Sequence, residues 1–162
     1  MKEKPFENWT VDPQLREVEL IYRSSAKHSE KPTLSSPDQV EAYLRALWNP
    51  DHLELREEFV IILLNNALNV LGWCRISIGG KNATVVDITS IVQLALLSNA
   101  SSVIAAHNHP SGVLKPSSAD INLTNRMQRG LEAIGVSLKD HMILTCDSHY
   151  SLMEHNLLSK TG

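Results

Sequence analysis

Ser102-Val103-Ile104-Ala105-Ala106-His107-Asn108-His109-Pro110-Ser111-Gly112-Val113-Leu114-Lys115-Pro116-Ser117-Ser118-Ala119-Asp120 decides how this chain is read. Residues 102–106 are a short apolar run, a buried strand that delivers the chain to His107. Side chains alternate along a strand, so His107 and His109 point the same way and their imidazoles can share one ion. Pro110 and the Pro-Ser-Gly turn then fold the chain back. Ser117 starts the longest helix, with Ile121, Thr124, Met127, Leu131 and Ile134 on its inner face and Gly135 at its C-terminal cap. Asp120 falls in the first turn of that helix, where a short carboxylate can face the strand end.

Two His and one Asp make a nitrogen-and-oxygen set of three protein ligands, the pattern of a catalytic zinc that keeps a position for water. A structural zinc more often takes a fourth ligand, commonly Cys, and Cys74 and Cys146 are both remote in sequence. The plainer alternative is a pair of loop histidines beside an ordinary Ser117-x-x-Asp120 capping box. A zinc nucleobase deaminase is excluded, because that chemistry needs His-x-Glu and a later Pro-Cys-x-x-Cys. The zincin signature His-Glu-x-x-His is also absent.

Working outward, strands and helices interleave. Residues 1–14 are polar and irregular, and Val18–Tyr22 alternates as a strand. Ser36-Pro37-Asp38-Gln39 starts a helix, with a Ser cap, Pro at the first helical position and Gln three residues after the cap; it runs through Val40, Tyr43, Leu44 and Leu47 to Asn49-Pro50. Glu57–Leu64 reads as a central strand, apolar on both faces after its charged start. Asn65-Asn66 turns the chain into a second arm from Leu68 to Ile78, ended by Gly79-Gly80. Asp87 caps a helix carrying Ile91, Leu94, Ala95 and Leu97 on one side. His141–Thr145 is a last strand, and Asp147-Ser148-His149 a turn. The architecture predicted is an α/β sheet with helices on its faces.

A chain of 162 residues suits one domain, and 43% hydrophobic with 20% charged residues supports a packed core. The net charge of −3 gives no general pull toward nucleic acid or an anionic membrane. Cys74 and Cys146 read as half-buried free thiols in a reducing compartment, with no disulfide framework. The charged start Met1-Lys2-Glu3-Lys4-Pro5 has no apolar segment behind it, and no apolar run is long enough to span a bilayer, so a cytoplasmic location is expected.

His107-x-His109-Pro110 followed by Ser117-x-x-Asp120 resembles the JAMM motif of the JAB/MPN metalloprotease superfamily, and His-Asn-His-Pro-Ser-Gly is similar to its RadC-like bacterial branch. The likeness runs from about Glu57 to Ser151 and includes Asp140-His141 and Tyr150-Ser151. It implies a single MPN/JAB-like domain over residues 17–162, with a mixed curved β-sheet flanked by helices in cytidine deaminase-like layering, after an irregular extension over 1–16. It further implies one Zn2+ per chain on His107, His109 and Asp120, Ser117 as a donor to the oxyanion, and a glutamate base two residues before a Phe. Glu57 holds that place before Phe59. Glu58 is the rival, since neighbours on a strand face opposite ways and only one reaches the metal; Glu54 is a third choice. Gly79-Gly80 and Thr89-Ser90 stand where many such chains have Gly-Thr and Arg-Glu, outside the metal motif. Nothing in residues 1–50 matches the helix-hairpin-helix region that usually precedes this domain.

The activity implied is zinc-dependent cleavage of a peptide or isopeptide bond in a protein or peptide substrate, with room for a homo-oligomer. The alternative is a DNA-repair-associated factor that binds DNA or protein and keeps an accessory metal site; charge and the missing DNA-binding motif count against it. Asp140-His141 reads as an Asp at a strand start and a satisfied core His, with support of a metal ligand as the other reading. His28, His52, His149 and His155 read as surface residues.

Overall fold

In the computed structural model, residues 31–79 and 86–158 are described. Among them five strands form one mixed sheet in the order β2-β1-β3-β4-β5. The strands are β1 (Glu58–Leu64), β2 (Val70–Ile78), β3 (Ser102–Asn108), β4 (Ser137–Leu144) and β5 (His149–Ser151), and the helices are α1 (Pro37–Leu47), α2 (Ile88–Leu97) and α3 (Ser118–Glu132). β1 runs antiparallel to β2 and β3, β3 runs parallel to β4 through α3, and β4 turns back into β5. The expected strand at Val18–Tyr22, the division at residue 16, His28 and Gly80 lie outside the described residues.

β1 and β3 are buried along their whole length, which is why both read as apolar runs without alternation. Their side chains still alternate between two cores. Val60, Ile62, Leu64, Ile104 and Ala106 pack under α1 through Val40, Leu44 and Trp48. Phe59, Ile61, Leu63, Val103 and Ala105 face the other way, against Ile91 and Ala95 of α2 and Met127 and Leu131 of α3. The sheet is thus the middle layer of three, as expected for this class. At Gly130 a Cβ would lie 3.2 Å from Cγ2 of Ile88, so the missing side chain lets α3 sit close on α2.

The caps fall where their residues predict. Ser36 accepts from the Gln39 amide with Pro37 at the first helical position, and Asp87 accepts from the Thr89 and Ser90 amides. Gly135, at φ 74°, follows α3 in the left-handed region that glycine adopts without strain. Some expectations need correcting. Leu97 is exposed, lying past the buried stripe of α2, and Cys146 is exposed, not half-buried. β4 begins at Ser137, four residues early, because it enters the sheet beside β3 before its apolar stretch starts. His149, expected as a surface residue in a turn, is half-buried: it opens β5 and lies 2.8 Å from Oε2 of Glu41 on α1. No described helix is long and apolar enough to cross a membrane.

Asp140 faces the α1 side at 4% exposure, and its carboxylate ties down the segment after β5. It accepts from the Ser151 hydroxyl (2.6 Å), the Met153 amide (3.0 Å) and the His141 amide (2.7 Å). Burial raises its pKa and outweighs these bonds. A raised native pKa means the folded state holds the proton more tightly than the unfolded chain. The residue's contribution to stability is therefore largest below the unfolded value, about 3.9, and declines as pH rises through the native one. Asp140→Asn should flatten that limb of the stability–pH curve in urea unfolding, and a curve identical to wild type would refute this account.

Candidate metal centre

β3 carries His107 as its penultimate residue and releases His109 just past its end, while Asp120 is the third residue of α3. One ligand atom from each of His107, His109 and Asp120 lies within 4.8 Å of the others. His107 Nε2 is 3.0 Å from His109 Nε2 and 3.2 Å from Asp120 Oδ1, and His109 Nε2 is 3.5 Å from Asp120 Oδ2. His107 is buried and the other two are half-buried, so the cluster opens outward through His109 and Asp120.

The capping box of Ser117 and Asp120 forms, and the same carboxylate also faces the two histidines. Asp120 Oδ2 accepts from the Ser117 amide (2.7 Å), and Ser117 Oγ accepts from the Asp120 amide (3.2 Å). The box anchors the carboxylate while Oδ1 turns to His107. Burial pushes the Asp120 carboxyl up, but its contacts with His107 and His109 outweigh that and hold it well below the usual range.

His109 Nδ1 lies 2.5 Å from the Val113 carbonyl oxygen. A carbonyl only accepts, so Nδ1 carries the proton, and in the neutral ring Nε2 presents a lone pair. That lone pair meets a carboxylate, which also only accepts. Such a convergence asks for a cation between its members. A proton can serve, and Asp120 accordingly raises the pKa of His109 against the effect of burial. A divalent ion that accepts nitrogen and oxygen ligands serves better, since it satisfies all three groups together.

Glu57 lies one residue before β1, on the Phe59 side of the sheet, half-buried. Its charge helps raise the His109 pKa, which puts it in electrostatic reach of the cluster. Its carbonyl accepts from the Gly79 amide at 2.8 Å, pinning it to the end of β2. Glu58 is fully buried and faces the other way. Its Oε1 takes Arg56 Nε at 2.8 Å and His52 Nδ1 at 3.0 Å, and Arg75 Nε stands 2.7 Å from Oε2, close but misaligned for a hydrogen bond. His52 is therefore half-buried and paired, not a bare surface residue. Glu54 is exposed and lies beside the Cys146 thiol.

Asn108, between the two histidines, points opposite to them. Its Oδ1 accepts from the Glu58 amide, and its Nδ2 donates to the carbonyls of Leu53 and Arg56, each at 2.8 Å. One side chain thus fixes the approach of the chain into Glu57. Sequence reasoning missed this residue; its place between two candidate ligands was the available signal. His141 is the satisfied core His expected, and it also touches the site: its Nε2 is 2.8 Å from His107 Nδ1.

Comparison with known proteins follows this geometry. A family model described as "RadC-like JAB domain" matches residues 34–157. A "UPF0758 protein" of Rubrobacter xylanophilus is 36% identical over 146 residues, covering 89% of this chain and 62% of the relative. One of Halorhodospira halophila is 41% identical over 127 residues, covering 78% of this chain and 55% of the relative. A third, of Flavobacterium johnsoniae, is 37% identical over 101 residues, covering 62% and 44%. The chain thus spans roughly half the length of these curated relatives, whose shared name states no activity.

Asn108→Ala should cost about 3 kcal/mol in urea unfolding, because it strands two buried backbone groups and a third that is partly buried. A loss below about 0.5 kcal/mol, the level of an ordinary surface substitution, would show that the Leu53–Glu58 segment is held otherwise.

Proposed function

We propose that this chain, which belongs to the RadC-like JAB domain family, is a metal-dependent hydrolase that cleaves an amide bond in a protein or peptide. The observation that carries the reading is the convergence of His109 Nε2, His107 Nε2 and the Asp120 carboxylate beside Glu57, a nitrogen-and-oxygen set that one cation would satisfy together. Three protein ligands leave a place open for water, as in catalytic zinc sites. Bound there, Zn2+ would supply Lewis acidity and bring the pKa of water to about 7.

The chain's own residues would do the rest. Glu57 would take a proton from the attacking water and return it to the departing amine, so that water adds across the C–N bond and leaves a carboxylate and an amine. Its carboxylate makes no hydrogen bond or ion pair among the described residues, unlike Glu58. Ser117 is exposed, and its hydroxyl oxygen accepts from the Asp120 amide, so the hydroxyl proton remains available to the substrate oxygen as negative charge grows there. Phe59 lies against the inner side of the cluster, its ring nearly parallel to His107 at 6.1 Å, and closes it toward the core.

Elemental analysis of untagged protein should find about one zinc per chain, lost in His109→Ala while the fold persists. Wild type that is metal-free and takes up no added zinc would sink the hydrolase reading. Glu57→Gln should keep the metal and lower amide hydrolysis by about 10²–10⁴-fold in a peptide and isopeptide screen. Glu58→Gln should instead lower stability, by partly unpairing a buried ionic cluster.

A further inference from the structure

His141 and Thr124 are fully buried, and neither belongs to the ligand set. Their contacts form a chain whose proton positions can be worked out from one end. Thr124 Oγ1 lies 2.6 Å from the Asp120 carbonyl oxygen, one helical turn back. A carbonyl cannot donate, so the only hydroxyl proton of Thr124 sits in that contact. His141 Nδ1 is also 2.6 Å from Thr124 Oγ1. With the hydroxyl proton already placed, Oγ1 can only accept here, and Nδ1 of His141 must carry a hydrogen.

The ring is fully buried, and in a neutral imidazole with its hydrogen on Nδ1 the other nitrogen, Nε2, is a bare lone pair. That nitrogen is 2.8 Å from His107 Nδ1, which must donate to it. The remaining nitrogen of His107, Nε2, is left unprotonated and faces His109 and Asp120. We infer that Thr124 and His141 are positioning residues, a hydrogen-bonded relay from the Asp120 backbone that fixes His107 as its Nδ1–H tautomer and presents Nε2 to the metal position. The inference rests on the metal-centre reading above.

The arrangement is particular in two ways. A metal-bound His usually donates its second N–H to a carboxylate, a backbone carbonyl or water. Here the acceptor is another His, which serves only while its own proton is held on the far nitrogen. Thr124 does that, and valine, similar in shape, cannot. The relay also joins the start of α3, which supplies Asp120, to the end of β3, which supplies His107, by way of β4. Phe59 packs edge-on to His141, with ring centres 5.5 Å apart, and limits ring tilt.

The test uses ¹⁵N-labelled, metal-stripped protein at about pH 8, where exposed histidines are neutral. Long-range ¹⁵N–¹H correlation reports which ring nitrogen carries the proton, and His107 and His141 should both be Nδ1–H. Thr124→Val should disturb the His107 tautomer and weaken zinc binding, measured by chelator competition, about 10–100-fold, whereas Thr124→Ser should stay within about threefold of wild type. Thermal unfolding checks that the variants are folded. Should the Val variant fail to fold, the wild-type spectrum and the Ser variant still decide. A His107 protonated on Nε2 in the wild type, or a folded Val variant that binds zinc as tightly as wild type, overturns the relay. Wild type that takes up no zinc would defeat the metal reading instead, and the ring spectrum would still judge the relay.

Discussion

The pairing of Phe59 with His107 in the β1–β3 ladder is the constraint on which the rest depends. It puts residues 57, 59 and 107 on the side of α2 and α3, and residues 58 and 108 on the side of α1. A slip of one residue in either strand would invert that strand's faces. In β1 it would turn the Glu58 carboxylate toward His107, His109 and Asp120 and drive Glu57 in among Arg56, His52 and Arg75. The two cores forbid it, because Val60, Ile62 and Leu64 would exchange places with Phe59, Ile61 and Leu63 under helices shaped for the other set. Apolar packing far from the site therefore decides which glutamate faces it.

Two residues at the candidate site also hold the fold together. Asp120 completes the capping box of α3 and faces two histidines, and its charge is favoured by the positive end of the helix dipole. Asn108 is read in sequence as the spacer of His-x-His, yet it ties β3 to the loop before β1. Substitution at either position alters fold and site at once, so loss of activity there would say little about chemistry. Glu57 and Thr124 are cleaner probes: neither is described as holding a second element by a side-chain bond other than the one at issue.

Much of this was legible in the chain itself. The caps at Ser36, Asp87 and Ser117, the apolar strands and the grouping of His107, His109 and Asp120 all follow from local pattern, because each depends on neighbours close in sequence. Choosing Glu57 over Glu58 needed the resemblance; in the structure Glu58 lies on the far face, held by Arg56 and His52 with Arg75 close by. What sequence could not give was anything set by register between distant strands. The early start of β4 and the contact of His141 with His107 across 34 residues are of that kind, and the pairing of His149 with Glu41 depends likewise on how β5 meets α1. A His in an apolar run looks the same whether its partner is a backbone carbonyl or a ligand's ring.

The buried polar chain also explains how so apolar a sheet tolerates histidines at its centre. His107, His141 and Thr124 are nearly or fully buried, and each would be costly alone. Linked in one direction, every donor in the chain meets an acceptor, and the single unmet group is the Nε2 lone pair of His107. Polar demand is thereby moved out of the core and concentrated at one point, beside His109 Nε2 and the Asp120 carboxylate. Those three groups belong to the end of one strand and the start of one helix, separated by a turn with few bonds of its own. A cation seated among them would tie that turn closed as well as complete the site, so metal binding there would be coupled to local folding.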